Sequence, residues 1–560
     1  TQEALAGLDG TGTYVSIERD GNTIIIRQDF NGCYGLYVYR NGERFVISNS
    51  FLYLMEYMTK RTRLTLNRDY ANHFLIMGLS SMAYSETFIN EIEILPRDVV
   101  VKIDIPSGTL STERINYGEN TVRLNSAEGM KILDEWFAKW TGIFKNLYEQ
   151  TPNVMADLSG GFDSRMVFTL LLNSGIDLNK ICINSIKAKG YTFEEDYVIA
   201  SEIAEHFGFT LNNTENFTGG ELNYSLDDSV RIAFSSLMFM HNQLQVSGKS
   251  KFEDKRYHLV GYWGENVRAY WHLEDNSFMF HNKGGARNFS AGLRKELAAS
   301  MERIITCLLE GISRKTNIPV SDGLASHVFR ETWGRSHFGS ISATKVAINT
   351  YNICPLGDVE LAHLRLNDEN CTDKNLLMAV IFTRYCPELL KFRFAQKESI
   401  SPETLKFAEK ICESFPKPET ASAPRDFSFV SRDPEVSALL ERNNPPIEPD
   451  APSKFVKSVF DSTATRKLFA TCFDEELYIY AEEYFRKTIH YPLAKCFTVV
   501  AATEVIKHII ISEGTQERSI ADDFREFVET GHESNYDRIA GGFVKAYIAT
   551  RKGARWPFFR

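Results

Sequence analysis

Residues 159–164 read Ser-Gly-Gly-Phe-Asp-Ser. The run Val154-Met155-Ala156-Asp157-Leu158 precedes them, and Arg165-Met166-Val167-Phe168-Thr169-Leu170-Leu171-Leu172 follows. The pattern predicts a short strand, a glycine turn and a helix start. Gly160 and Gly161 let the backbone approach an anion closely and adopt angles that a Cβ would forbid. Successive N–H groups at a helix N-terminus then face one point, where the dipole also favours negative charge. Ser159 and Ser164 add hydroxyl donors. Asp163, an acid in a site built for anions, makes sense with a divalent cation between it and the anion. No Gly-Lys-Ser/Thr follows, so the turn is not a P-loop.

A chain of 560 residues is too long for one ordinary core and sets an expectation of two or three domains. A net charge of −10, with no long basic stretch, argues against a nucleic-acid partner. The basic residues near the end (Lys545, Arg551, Lys552, Arg555, Arg560) read as a solvated terminus. Nine cysteines without paired CxxC spacing suggest reduced thiols and a cytoplasmic location. No apolar run reaches membrane-span length, and no membrane partner is expected. The first residue is Thr1 rather than Met, which leaves room for a removed leading segment.

Four strand patterns are centred on 14–17, 23–27, 35–39 and 44–48, with Asp20-Gly21-Asn22 and Arg40-Asn41-Gly42 as turns. A helix near 69–79 and a strand at 98–105 follow. From Ser126 the period turns helical (Met130, Ile132, Leu133, Trp136, Phe137), and strands then alternate with helices. Further strands are expected at 180–186 and 257–260, a helix at 194–207, and mainly helices beyond. This alternation predicts a parallel sheet with helices on both faces, whose ligands bind past the carboxyl ends of the strands. Eight of the 17 prolines fall between Phe415 and Pro452, which marks a linker or arm. The expected domains are therefore 1–125, 126–412, an arm at 413–453, and a helical region at 454–560. In that last region Tyr478, Tyr480, Tyr484 and Phe485 read as core residues.

A second glycine turn, Gly261-Tyr262-Trp263-Gly264-Glu265-Asn266, follows the third of these later strands. In a parallel sheet Glu265 and Asp163 come together past the strand ends. Two carboxylates facing a triphosphate suit one or two Mg²⁺ ions.

The first loop resembles the SGGxDS loop of ATP pyrophosphatases. With Asp196, Ala200, Ala204–Gly208, Gly261–Glu265 and Pro355-Leu356-Gly357-Asp358, the chain resembles the asparagine synthetase and β-lactam synthetase superfamily over roughly residues 13–400. The resemblance implies an α/β fold. It has a β-rich N-terminal remnant of Ntn-hydrolase type, a parallel-sheet ATP pyrophosphatase domain of the adenine nucleotide α-hydrolase kind, and a helical extension. It implies ATP and Mg²⁺, with Ser159, Gly160, Gly161, Asp163, Ser164 and Arg165 at the nucleotide and Asp163 and Glu265 at the metal. Tyr262 falls where β-lactam synthetase has a catalytic Tyr. Arg165 stands where the family has a second serine and adds a charge to the expected phosphate site. The family's Glu before the Pro-Phe-Leu-Asp segment has no equivalent, since Tyr351 and Asn352 occupy its region. For the family's late lysine that steadies pyrophosphate, Lys397 and Lys391 are the candidates, with a solvated helix face as the competing reading of both.

Arg27–Gly32, Leu36-Tyr37 and Ile47–Ser50 resemble the later part of the family's glutaminase domain. Glutamine-using members begin that domain with a catalytic Cys whose α-amine is the base. Cys33 is internal and lacks a free amine, and too few residues separate Thr1 from Arg27 for the usual strands. The expectation is an inactive glutaminase fold within an AMP-forming amide synthetase. Its partners would be small-molecule or peptide carboxylate and amine substrates, with a homodimer left open. A glutamine-dependent amidotransferase whose nucleophile lies on a missing segment and a non-catalytic scaffold stand as alternatives.

Overall fold

The computed structural model describes residues 12–42, 44–77, 83–189, 193–215, 221–224, 247–249, 256–268, 273, 289–347, 350–365, 374–397, 399–417, 451–487 and 492–513. Thr1, most of the proline-rich arm and the basic C-terminal residues lie outside them. The described chain is mixed α/β, with antiparallel sheets first and a parallel sheet with helices after them.

The N-terminal part contains strands β1 (Val15–Asp20), β2 (Thr23–Gln28), β3 (Tyr37–Asn41) and β4 (Arg44–Ser48), then helices α1 (Phe51–Thr59) and α2 (Arg68–Met77). Strands β5 (Ile92–Ile94), β6 (Val99–Asp104), β7 (Thr109–Arg114) and β8 (Val122–Arg123) follow. One antiparallel sheet has the order β1-β2-β6-β7 and a second the order β4-β3-β5. The β1–β2 hairpin closes at Gly21, whose φ of 56° favours glycine. Period-two alternation sends Ile24 and Ile26 of β2 and Val99, Val101 and Ile103 of β6 into one apolar layer with Val38. Tyr37 and Tyr39, on the opposite face of β3, pack instead with α1 and α2. The second sheet is thus buried on both faces.

Helix α3 (Ala127–Gln150) opens the next part, capped by the Ser126 hydroxyl, which accepts from Gly129 N at 3.0 Å. It leads to β9 (Val154–Asp157), α4 (Phe162–Asn173), β10 (Cys182–Asn184) and α5 (Phe193–Phe207). Next come a short antiparallel pair, β11 (Glu221–Asn223) with β12 (Ser247–Lys249), and then β13 (Arg256–Leu259). The long helix α6 (Ala291–Thr316) is followed by α7 (Ala325–Phe329), a π turn at Arg330–Gly334, α8 (Arg335–Ala347) and β14 (Thr350–Ile353). After these lie α9 (Val359–His363), β15 (Leu364–Arg365), α10 (Leu376–Tyr385) and α11 (Pro402–Ser414).

Strands β10-β9-β13-β14 form one all-parallel sheet in that order. β14 is an additional strand in the region beyond residue 260, where mainly helices are expected. Its Thr-Tyr-Asn-Ile run alternates polar with apolar because only one of its faces meets the apolar core. Across the sheet, Val154, Ala156, Ile183 and Leu259 share that core with α3, α4 and α10. The opposite face carries Asp157, Asn184, His258 and Asn352, and α8 packs against it.

The C-terminal helices α12 (Ala451–Asp461), α13 (Thr463–Phe469), α14 (Glu475–Lys487) and α15 (Pro492–Glu513) do not stand apart. They share one apolar core with α1, α2 and the first turns of α6. Tyr478 is fully buried there and donates to Val459 O at 2.9 Å, as expected of a core residue. Tyr480 packs on Phe289 at the same core. No described helix is long and apolar enough to cross a membrane.

Buried charges join the N-terminal part to the rest. Arg97, fully buried, pairs with Glu119 and, at 2.9 Å, with Glu331, and donates to Phe30 O. Arg335 donates to Gln28 Oε1 at 2.8 Å and to Gly32 O at 2.9 Å. Lys315 lies 3.2 Å from Asp98. Removing one member of such a network strands an opposite charge in the interior, so the junction is firm.

Candidate functional site

The loop Ser159–Ser164 leaves the carboxyl end of β9, one of the two central strands, and enters α4 with Gly161 as its N-cap. A glycine offers no capping side chain, so the first-turn N–H groups face outward for a ligand. Ser159 and Ser164 brace the turn. Their hydroxyls lie 2.9 Å apart, Ser164 Oγ accepts from Ser159 N at 3.0 Å, and Ser159 Oγ accepts from Gly161 N at 3.1 Å. One of the two hydroxyl hydrogens expected to face a ligand is therefore committed to the other serine. Gly160 N donates to Asp196 Oδ1 at 2.8 Å. A Cβ on Gly160 would lie 2.7 Å from Ile199 and 2.8 Å from Ala395, so glycine is required for this packing.

Arg165 does not add its charge to the anion side of the loop. It is fully buried and donates to Gly160 O, Phe392 O and Arg393 O, with its guanidinium 4.1 Å over the Phe394 ring. The carbonyls of residues 392–393 need a buried donor, and the residue after Asp-Ser supplies it. Its role is to fasten the 392–397 segment to the loop. Ala395 N completes this docking by donating to Gly160 O at 3.0 Å, and Gln396 N by donating to Glu195. The backbone of Lys397 thus lies beside the loop, while its side chain is outside the described residues. Lys391 is exposed on the preceding turn.

The second glycine turn leaves the adjacent strand β13 and meets the loop directly. A Cβ on Gly264 would fall 2.0–2.5 Å from the Asp163 carboxyl atoms, and one on Gly261 would fall 2.8 Å from the Asp163 backbone. Only glycine permits this contact. Trp263 between them has φ 73°, an uncommon conformation for a bulky residue. It is wedged in place, since Cβ atoms on Gly357 and Gly334 would stand 2.6 and 2.8 Å from its indole. Strain held by surrounding packing is a recurring property of functional turns.

Glu265 is the second residue of the Gly264–Val267 turn, and Arg268, with extended backbone angles, follows its end. Arg268 Nη2 lies 3.5 Å from Asp163 Oδ2. Burial pushes the Glu265 carboxyl up, and its own backbone amide and Arg268 pull it back. Asp163 thus meets the Arg268 guanidinium directly, and Glu265, separate in sequence from Asp163, feels its charge. Tyr262 stacks on Phe338 with centroids 4.9 Å apart. Burial, then the Asp157 and Cys354 charges, hold its phenol well above the usual range, so it carries its proton at neutral pH.

Asp157 and His258 were not among the residues singled out from sequence. His258 Nε2 is 2.9 Å from Asp157 Oδ2, and Asn184 Nδ2 donates to Asp157 Oδ1 at 2.9 Å. Burial raises the Asp157 carboxyl, but His258, Asn184 and Lys345 outweigh it and hold it below the ordinary value. The available signal was the polar end of two neighbouring strands, Asp157 and Asn184, which pair in register. Asp358, in contrast, is structural. It is buried beside Lys139 at 2.8 Å, accepts from Trp140 Nε1 at 2.6 Å, and caps α9.

Compared with known proteins, the chain matches no protein-family model and no curated protein.

The donor set of Asp163 and Glu265 fits Mg²⁺. Both give hard oxygen ligands, and this ion is commonly held by one or two carboxylates together with substrate phosphates and water. The Gly264 contact, which no larger residue allows, fixes the position of Asp163. The two turns bring outward N–H donors, Asp163 and the Arg268 guanidinium together, and the second turn also carries Glu265 and the protonated Tyr262 phenol.

Proposed function

We propose that the chain is an ATP-dependent, AMP- and pyrophosphate-forming amide synthetase related to the asparagine and β-lactam synthetases. One observation carries this reading: the Ser159–Ser164 loop and the Gly261–Glu265 turn meet through Asp163 and Gly264 past the carboxyl ends of adjacent parallel strands. The N–H groups at the start of α4 bind polyphosphate oxygens. Asp163 and Glu265 would hold Mg²⁺, which would supply charge neutralisation for the polyphosphate. A substrate carboxylate then attacks the α phosphorus, the bond to the bridging oxygen breaks, and pyrophosphate leaves. An amine attacks the acyl-adenylate carbonyl and expels AMP. In this scheme Tyr262, carried by the second turn, orients the amine and passes its proton towards Asp157. On this reading the N-terminal sheets are a glutaminase-like remnant. Cys33 is internal and buried, and desolvation, then the Asp29 and Cys354 charges, raise its thiol well above the ordinary value.

ATP–pyrophosphate exchange over a panel of carboxylic acids tests the reading without requiring the amine. At least one acid should support exchange, and Asp163→Ala should abolish it. Release of ADP in place of AMP, or no exchange with any acid, would sink it.

A further inference from the structure

Arg268 is a cation already placed beside Asp163, on the stretch of chain that carries Glu265. Its side chain is 9% exposed, its Nη2 is 3.5 Å from Asp163 Oδ2, and its guanidinium lies 5.7 Å over the Phe162 ring. Glu265 follows Gly264, the residue packed on the Asp163 carboxyl, and the Arg268 charge pulls the Glu265 carboxyl down. Two carboxylates on touching turns repel, and one guanidinium near both offsets that repulsion. A free divalent cation entering this pair has to displace Arg268 into a region with little water, where a lone guanidinium is costly. A polyphosphate changes the balance, because its oxygens accept the planar fork of an arginine well. The α4 N-terminus, which begins at Phe162, is where such oxygens are expected.

We infer that Arg268 closes the Asp163–Glu265 pair to a free divalent cation and yields it only to a cation arriving with a polyphosphate, whose oxygens then take the guanidinium. The polyphosphate half of this rests on the nucleotide-binding reading above, whereas closure towards free metal does not. Metal and nucleotide therefore enter together, and metal alone binds weakly. Sequence carries the signal in the three-residue spacing of Glu265 and Arg268, with Asp163 brought in by the sheet.

The test uses the full chain and Mn²⁺ counted by electron paramagnetic resonance, with and without non-cleavable α,β-methylene ATP. Wild type should bind Mn²⁺ weakly alone and firmly with the analogue. Arg268→Gln should tighten binding of Mn²⁺ alone by about tenfold or more, the scale on which neighbours of metal ligands tune affinity, and should weaken binding of the analogue. Arg268→Lys, a shorter cation that still neutralises, should give a smaller gain and serves if Arg268→Gln does not fold. Adding Glu265→Gln to Arg268→Gln should remove the gain. Equal Mn²⁺ affinity in wild type and both Arg268 variants overturns the inference, and so does a gain that survives Glu265→Gln. A wild-type chain that takes no analogue at millimolar concentration sinks the synthetase reading instead, while the comparison with Mn²⁺ alone still decides whether Arg268 closes the pair.

Discussion

Gly264 is a single position on which the two halves of the crevice depend. Its missing side chain is the space that the Asp163 carboxyl occupies. Gly264→Ala should therefore push Asp163 aside by about an ångström, a displacement that costs on the order of a hundredfold in rate. Exchange activity together with Mg-ATP affinity would reveal it, and an alanine variant at wild-type rate would contradict the geometry. Residue by residue, sequence conveyed the loop well because glycines, serines and an aspartate at that spacing have few other uses. Arg165 was misread because a charge next to a phosphate loop has two destinations, and the buried carbonyls of residues 392–393 are invisible until the chain folds back. Asp157 and His258 escaped notice for a similar reason. Each is one polar residue in a short strand, and their meaning lies in strand pairing.

At the level of elements, period was the reliable guide. β1, β2, β3, β4, β6, β9, β13, α3 and α5 were all legible from alternation or helical spacing. β14 was not, because a strand with one polar face and four residues lacks an apolar run. Helix α2 carries a further consequence. His73 on its inward side is fully buried, and burial lowers its imidazole to about 4. The folded value lies below the unfolded one, so the neutral form belongs to the folded state. Its stabilising effect is complete above pH 6.5 and is lost as pH falls towards 4, by up to about 3 kcal/mol. Denaturant titrations of wild type and His73→Leu between pH 7.5 and 4.5 should show the wild type losing ground to the variant on acidification. A pH-independent difference would contradict this account.

For the whole molecule, the decisive fact is a core assembled from distant parts of the chain. Val456, Phe469, Tyr478, Val499, Ala501, Val505 and Ile506 are buried against α1, α2 and α6. Burying each large apolar side chain contributes about 1.5–3 kcal/mol, and a folded domain retains only about 5–15 kcal/mol in total. Deleting residues 451–560 should therefore abolish cooperative unfolding of the N-terminal sheets, as judged by circular dichroism melting and limited proteolysis. A truncated chain that melts as sharply as the full one would refute the shared core. Sequence could not disclose this arrangement, because the helical periods at 451–513 show that a face is apolar but not which partner covers it.

That shared core also imposes a timetable. A ribosome delivers α1 and α2 long before α12 to α15, with about 370 residues between Met77 and Ala451. At about 5–20 residues per second, the nascent chain spends roughly 20 to 75 s with Phe51, Met55, Tyr70 and Phe74 lacking their final cover. The parallel sheet, complete once Ile353 emerges, needs no such wait. The two glycine turns that meet through Gly264 can thus come together on the ribosome while the first-made part of the protein is still unfinished.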